Sequence, residues 1–184
     1  MKTLIKVYIL PAVLLVAFTC QVAAQKKRNI KISSGKVPST KVIYKTPQKK
    51  VVSVRTIPNR TVIKYKNQNY YYANNKYYTQ SRGRYIVIAP KVGFRIKVLP
   101  VNYKRIRFNT YNYYYAQGIF YVQINNDYEV VDPEVGTVVD ELPADYEKVT
   151  IDGETYYEYA NILYEKVQVN GARAYEVVGI IDME

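Results

Sequence analysis

Short tyrosine-rich runs are the part of this sequence best suited to contact a ligand. The chain has 22 tyrosines among 184 residues, and many occupy alternate positions of strand-like segments. Alternate side chains of a strand share one face. An exposed row of rings would stack on the flat apolar faces of sugars or on a peptide, whereas a buried row would be core with cross-strand aromatic pairs, and both interpretations stay open. Together with two basic neighbours, the candidate ligand-facing residues are Tyr70, Tyr72, Tyr111, Tyr113, Tyr115, Arg105 and Arg107.

The composition offers little for catalysis. The chain has no histidine, which removes the usual general base near neutral pH and the commonest metal ligand. Its single cysteine, Cys20, lies in a hydrophobic leader. Asp140 and Glu141 are adjacent and would face opposite ways within a strand, and the sequence has no glycine-rich phosphate-binding loop. We therefore predict a protein that is not an enzyme and that has no catalytic residue, metal site or cofactor.

Residues 1–24 have the features of a secretory signal peptide. A positively charged start leads into an apolar run over residues 7–19, which is too short to span a bilayer comfortably. Small residues at its end predict cleavage between Ala24 and Gln25. The product would be exported to the periplasm or cell surface, with no transmembrane helix left after cleavage. Lipidation of Cys20, which would anchor the protein in the outer membrane, is the alternative.

Residues 25–50 are predicted to form a disordered basic tail. The segment carries nine Lys and Arg and no acid, and Ser, Gly and Pro interrupt any periodicity. Like charges repel and few apolar groups are available, so the segment is expected to be flexible. Residues 41–44 could form a strand, but only with a partner strand.

From about residue 51 the chain repeats itself. Several landmarks share one offset of 43 residues, which predicts tandem structural units. The units are placed at about 58–100, 101–143 and 144–184 within a β-repeat domain of residues 51–184. The paired landmarks are Ala73 and Ala116, Pro90 and Pro133, Gly93 and Gly136, and Pro100 and Pro143.

The residue pattern of each unit predicts β-structure, and no segment keeps a helical period. The opening strands are expected at residues 61–65, 104–108 and 148–151, each followed by the tyrosine-rich strand. The fold class is thus all-β, built of tandem short antiparallel meanders that must pack together because one unit is too small to fold alone. Tight turns that tolerate positive φ are expected at Asn74-Asn75, Arg82-Gly83, Gln117-Gly118, Asn126-Asp127, Asp152-Gly153 and Asn170-Gly171.

Three landmarks between residues 113 and 146 resemble an uncharacterised family of secreted bacterial proteins, a domain of unknown function. They are the segment from Tyr113 to Tyr121, the linker from Pro133 to Gly136, and Leu142-Pro143 followed by Tyr146. The resemblance covers roughly the last two thirds of the chain. It implies an envelope location and a β architecture, and it implies no activity.

The charges are sharply divided along the chain. The first 126 residues hold 24 Lys and Arg and no acid, whereas residues 127–184 hold all 15 acids and only three basic residues. This division allows three arrangements: the basic tail can fold onto the acidic third unit, copies can stack head to tail, or the tail and first unit can face an anionic surface.

The functional hypothesis is a secreted, non-enzymatic binding or adhesion module of the cell envelope. Its partner would be an anionic glycan, lipopolysaccharide or an envelope protein. Export from the cytoplasm argues against nucleic acid as a partner, and self-association is a further mode. The alternative is a structural protein that organises partner proteins in the periplasm or outer membrane.

Overall fold

The computed structural model describes residues 35–46 and 51–183. The predicted signal peptide, its cleavage site at Ala24 and Gln25, and Cys20 lie outside these residues. The first described segment contains β1 (Lys36–Pro38), a 3-10 turn (Ser39–Lys41) and β2 (Ile43–Tyr44). Within the described residues, no helix has the length and apolar character needed to cross a membrane.

Residues 51–183 form three sheets that repeat one strand order. In each, four consecutive antiparallel strands make a meander, and a short preceding strand pairs with the last of the four. The first sheet contains β3 (Ser53–Val54), β4 (Thr61–Tyr65), β5 (Gln68–Ala73), β6 (Lys76–Ser81) and β7 (Arg84–Ile88). The second contains β8 (Arg95–Ile96), β9 (Lys104–Phe108), β10 (Tyr111–Ala116), β11 (Ile119–Ile124) and β12 (Asp127–Val130).

The third sheet keeps this order and adds the first described segment. Its own strands are β13 (Val138–Val139), β14 (Glu147–Ile151), β15 (Glu154–Tyr159), β16 (Ile162–Val169) and β17 (Ala172–Asp182). The longer β17 pairs with β16 and β13, and it also pairs in parallel with β1. At the other side of the sheet, β2 pairs antiparallel with β14. The predicted all-β class is therefore confirmed.

Two-residue loops close the nine hairpins among residues 51–183. Most place both loop residues at positive φ, which matches the right-handed twist of the flanking strands. Gln117 and Gly118 have φ of 53° and 81°, and Asp152 and Gly153 have φ of 50° and 85°. The turn predicted at 126–127 is wrong by one residue, because β12 already begins at Asp127 and the loop occupies residues 125–126.

Two cores hold successive sheets together. The first core joins Tyr77 of the first sheet to Tyr121 and Val130 of the second, with Phe94 and Leu99 from the connecting segments. The second core joins sheets two and three through an aromatic and aliphatic set: Tyr113, Tyr115, Phe120, Val139, Ile162, Tyr164, Tyr175 and Val177. Each sheet therefore buries side chains against its neighbour, as expected for units too small to fold alone.

The predicted basic tail is wrong for residues 35–46. Val37 is buried against Val149, Leu163 and Val178 of the third sheet, and Tyr44 packs at the border of the same core. Main-chain hydrogen bonds fix both ends of the segment, since Ile180 N donates to Gly35 O at 2.6 Å and Lys45 N donates to Lys148 O at 3.0 Å. Of the strand predicted at residues 41–44, Ile43 and Tyr44 form β2 and pair with β14, whereas Lys41 belongs to the 3-10 turn. Residues 25–34 and 47–50 lie outside the described residues.

Candidate binding groove on the first sheet

Two of the predicted ligand-facing tyrosines belong to the second core. Tyr113 is 2% exposed and packs edge-to-face on Phe120, with ring centroids 5.7 Å apart. Tyr115 is also buried, and its hydroxyl donates to Glu141 O at 3.0 Å. The prediction that these two rings face a ligand is therefore corrected. Their face of the sheet is the one covered by the third sheet, so neither ring can stack on a sugar.

The other three predicted tyrosines lie at the margins of the cores. Tyr70 is half-buried and packs edge-to-face on Phe94 at 5.0 Å. Tyr72 is also half-buried and contacts Tyr77, with ring centroids 4.9 Å apart. Tyr111 is 43% exposed and stacks on Tyr113 at 5.5 Å with an interplanar angle of 8°. Of the five tyrosines, Tyr111 leaves the largest open area.

The predicted basic residues lie on the exposed edge strand β9. The Arg105 guanidinium carbon is 5.7 Å from the centroid of the Tyr114 ring, within cation–π range. Tyr114 also contacts Tyr103 at 5.6 Å and Tyr128 at 5.1 Å. Arg107 lies two residues further along the same strand and is exposed. This aromatic cluster was not predicted, because the candidate tyrosines Tyr111, Tyr113 and Tyr115 alternate with Tyr114 and share the other face of β10.

A groove of about 700 Å³ runs beside the edge strand β4. It is lined by four consecutive residues of that strand, 61–64, and by the continuous segment 95–101. Successive strand residues point to opposite faces, so a groove that touches all four must follow the backbone edge of β4. Tyr72 and Tyr77 also line it, and Tyr72 is therefore the one predicted residue that reaches this groove.

The corresponding groove between the second and third sheets is smaller, at about 350 Å³. There Lys104 Nζ lies 2.8 Å from both Asp140 Oδ2 and Glu141 Oε1. These two adjacent carboxylates follow β13 in a loop, so they converge on one lysine, contrary to the expectation for a strand. At the offset of 43 residues the first groove has Thr61, Lys97 and Val98 instead. There Lys97 pairs with Asp127 of β12 at 2.8 Å and not with a residue of β4.

The hydroxyls in the open groove are suited to hydrogen bonding rather than to proton transfer. Tyr77 and Tyr121 hydroxyl oxygens are 3.0 Å apart, and burial raises the pKa of Tyr77 to about 12. The Tyr72 hydroxyl donates to Asn75 Oδ1 at 3.0 Å, and burial raises its pKa as well. Both groups stay neutral near pH 7. Among residues 35–46 and 51–183, no three His, Cys, Asp or Glu side chains are grouped to hold a metal ion.

The first sheet and its linkers carry an excess of positive charge. Residues 51–94 contain eight Lys and Arg and no acid, and all eight are exposed. The ion pairs between described residues involve Lys36, Arg95, Lys97 and Lys104, none of which belongs to this segment. The eight residues are Arg55, Arg60, Lys64, Lys66, Lys76, Arg82, Arg84 and Lys91.

A family model described as a family of unknown function, DUF6515, matches residues 45–181. The matched range contains all three meanders except the last residue of β17, and it leaves out β1 and β2. No curated protein and no solved structure matches the chain.

Proposed function

We propose that this chain, which belongs to the DUF6515 family of unknown function, is a non-enzymatic binding module of the cell envelope. Its ligand is an anionic glycan, such as lipopolysaccharide, or another anionic envelope polymer. The observation that carries the proposal is the surface of residues 51–94, with eight exposed basic side chains and no carboxylate. A surface with a large excess of one sign raises the local concentration of oppositely charged polymer and speeds its association.

The first sheet, rather than the segment 35–46, is the better polymer-binding surface. Residues 35–46 pair with the acidic third sheet, and Lys36 Nζ is 4.0 Å from Asp182 Oδ2. This agrees with one of the three arrangements that the divided charges allow, the basic segment folded onto the acidic unit. The envelope location rests on the predicted signal peptide.

Retention of the full chain on immobilised lipopolysaccharide and on an anionic resin tests the proposal. A triple variant, Lys76→Gln, Arg82→Gln and Lys91→Gln, removes three exposed charges from the first sheet and its linker. The matched control, Lys148→Gln, Lys166→Gln and Arg173→Gln, removes the same residue types from the third sheet, where all three are also exposed. The first variant should elute at lower salt, because it has lost three of the charges that attract the polymer. Salt weakens this attraction, since it is screened beyond about 8 Å at physiological ionic strength.

The control should elute close to the unmodified protein. Equal shifts for the two variants would mean that net charge alone governs retention and that the first sheet is not the site. Retention that does not depend on salt would refute the electrostatic basis altogether. Measuring the melting temperature of each variant separates loss of binding from loss of fold.

The alternative function, organisation of partner proteins in the periplasm or outer membrane, is favoured by a different feature. The edge of β4 faces an open groove, and among the described residues no strand pairs with its outer side. Such an edge is a template for pairing with another polypeptide.

A further inference from the structure

Each of the three sheets has one equivalent edge strand, and the three edges differ in whether they are covered and in how many charges they carry. The strands are β4, β9 and β14, which correspond at the offset of 43 residues. On β14 the outer edge is covered by β2, with Thr150 opposite Ile43 and Val149 opposite Tyr44. A two-residue strand from outside the repeats thus already pairs with one of these edges.

The hairpin register identifies the backbone groups that face outward on β4. Residues that flank a two-residue loop exchange both main-chain hydrogen bonds, and such pairs alternate along the ladder. Tyr65 opposite Gln68 is the flanking pair here, so Val62 and Lys64 direct their N–H and C=O groups away from β5. The residue equivalent to Val62 in the third sheet is Lys148, whose carbonyl accepts the hydrogen bond from Lys45 N at 3.0 Å.

Edge strands of soluble proteins are commonly covered or charged, which blocks unwanted pairing. The edge of β14 is covered, and β9 carries Lys104, Arg105 and Arg107 among its five residues. The sequence of β4 is Thr-Val-Ile-Lys-Tyr, with one charge. Among the described residues, β4 is therefore the one of these three edges that is neither covered nor densely charged.

The groove beside this edge is lined by exposed apolar side chains. Across the groove from β4, Val98 and Val101 are 81% and 64% exposed. Val62 pairs with Tyr71, so its side chain lies on the face of the sheet opposite Tyr72 and Tyr77, and it offers its main chain to the groove. Exposed apolar side chains beside an open strand edge are of the kind that marks binding sites. In the smaller groove, Val98 is replaced by Glu141, which is bound to Lys104.

We propose that the outer edge of β4 binds an extended acidic segment of a partner protein by strand addition. The segment pairs through its main chain with Val62 and Lys64, as β2 pairs with β14. Its apolar side chains enter the groove beside Val98 and Val101, and its acidic side chains face the basic first sheet, where among the described residues no carboxylate lies within 4 Å of Lys64 Nζ. This inference goes beyond the binding of a polymer, because a polysaccharide has no peptide main chain to pair.

Two synthetic peptides test the inference with the full chain. One is an acetylated, amidated octapeptide that alternates valine and glutamate, and the other has the same sequence with N-methyl groups on alternate peptide bonds. Fluorescence anisotropy should show binding of the first peptide and at least tenfold weaker binding of the second, since methylation removes the donors that a strand needs. Hydrogen exchange should slow at the amides of Val62 and Lys64 when the first peptide binds.

A matched pair of variants locates the site. Val62→Pro removes an outward N–H from β4, and Arg105→Pro removes the equivalent N–H from β9; proline is tolerated on an edge strand when that N–H faces solvent. Val62→Pro should weaken peptide binding at least tenfold and Arg105→Pro should leave it unchanged. If melting shows that Val62→Pro is unfolded, Val62→Lys serves in its place, because it adds a charge at the same point of the edge.

Three outcomes would overturn the inference: equal affinity for the methylated peptide, equal loss in both proline variants, or binding that prefers a valine–lysine peptide. Concentration-dependent dimerisation abolished by Val62→Pro would also overturn it, since the occupant would then be a second copy. Retention of Val62→Pro on lipopolysaccharide should be unchanged, so failure of peptide docking is distinguishable from failure of polymer binding.

Discussion

Replacing Gly118 by alanine should destabilise the protein more than the same change at a matched turn glycine. Gly118 is the second residue of the loop between β10 and β11 and has φ of +81°. A Cβ built there would overlap the Tyr159 ring and lie 2.6 Å from Pro143 Cγ. Gly153, with φ of +85°, holds the equivalent place between β14 and β15 and would meet nothing within 4 Å.

The two substitutions share the cost of a side chain in the left-handed region, roughly 1–2 kcal/mol. Gly118→Ala adds overpacking against Tyr159 and Pro143, for which about 1–3 kcal/mol is typical. The free energy of unfolding should therefore fall by about 1–3 kcal/mol more in Gly118→Ala than in Gly153→Ala. At this chain length each kcal/mol corresponds to roughly 2–4 °C in melting temperature.

Urea unfolding followed by far-UV circular dichroism and by tyrosine fluorescence would measure both variants. The two probes also test whether unfolding is a single cooperative transition, without which one free energy is not defined. Equal destabilisation of the two variants would refute the reasoning, because it would mean that the contact with Tyr159 and Pro143 imposes no packing constraint. Gly35 is not a neutral control, since its carbonyl accepts the Ile180 hydrogen bond and its φ is +68°.

Other features make further predictions. Val37→Asp should lower the free energy of unfolding by several kcal/mol, because it places an unpaired carboxylate in the core beneath β1, and urea titration would measure this. Burial raises the pKa of Glu158 above 4.5, so the ionised carboxylate costs stability in the folded state. Glu158→Gln should therefore stabilise the protein at pH 7, and this gain in the free energy of unfolding should vanish as pH falls below 4.5. Burial likewise raises the pKa of Tyr77 from 10.0 to about 12, so its stabilising contribution is complete below pH 10 and is lost as pH rises towards 12. Replacing both Tyr77 and Tyr121 by phenylalanine should flatten this alkaline loss of stability, which urea titrations at pH 8 and pH 11 would show.

Local sequence was sufficient to predict the strands and most of the turns. The strand expected at residues 61–65 is β4, and that expected at 104–108 is β9. These elements are predictable because alternation and turn propensity act over a few neighbouring residues. The turn before β12 was displaced by one residue because Asn125, Asn126 and Asp127 all suit a turn, and only pairing with β11 selects between them.

Alternation also placed Tyr113 and Tyr115 on one face and Tyr114 on the other, but it could not tell which face would be buried. That depends on which sheet packs against which, a contact between residues some 50 positions apart in sequence, such as Tyr115 with Tyr164. The same limit hid the difference between the two grooves. In the smaller groove Lys104 pairs with the loop that follows β13, whereas Thr61 holds the equivalent place in the larger groove.

The sequence by itself determined an all-β chain with divided charge, since composition and short-range patterns are enough for both. Only the tertiary structure decided where the N-terminal segment lies. The nine basic residues of the segment 25–50 predicted a solvated tail, yet in its described part, residues 35–46, Val37 and Tyr44 bury apolar surface against the third sheet, whose acids also attract the lysines of this part. The uncovered edge of β4 could not be predicted from the sequence either, because which strand lies at an edge depends on how all the other strands pair.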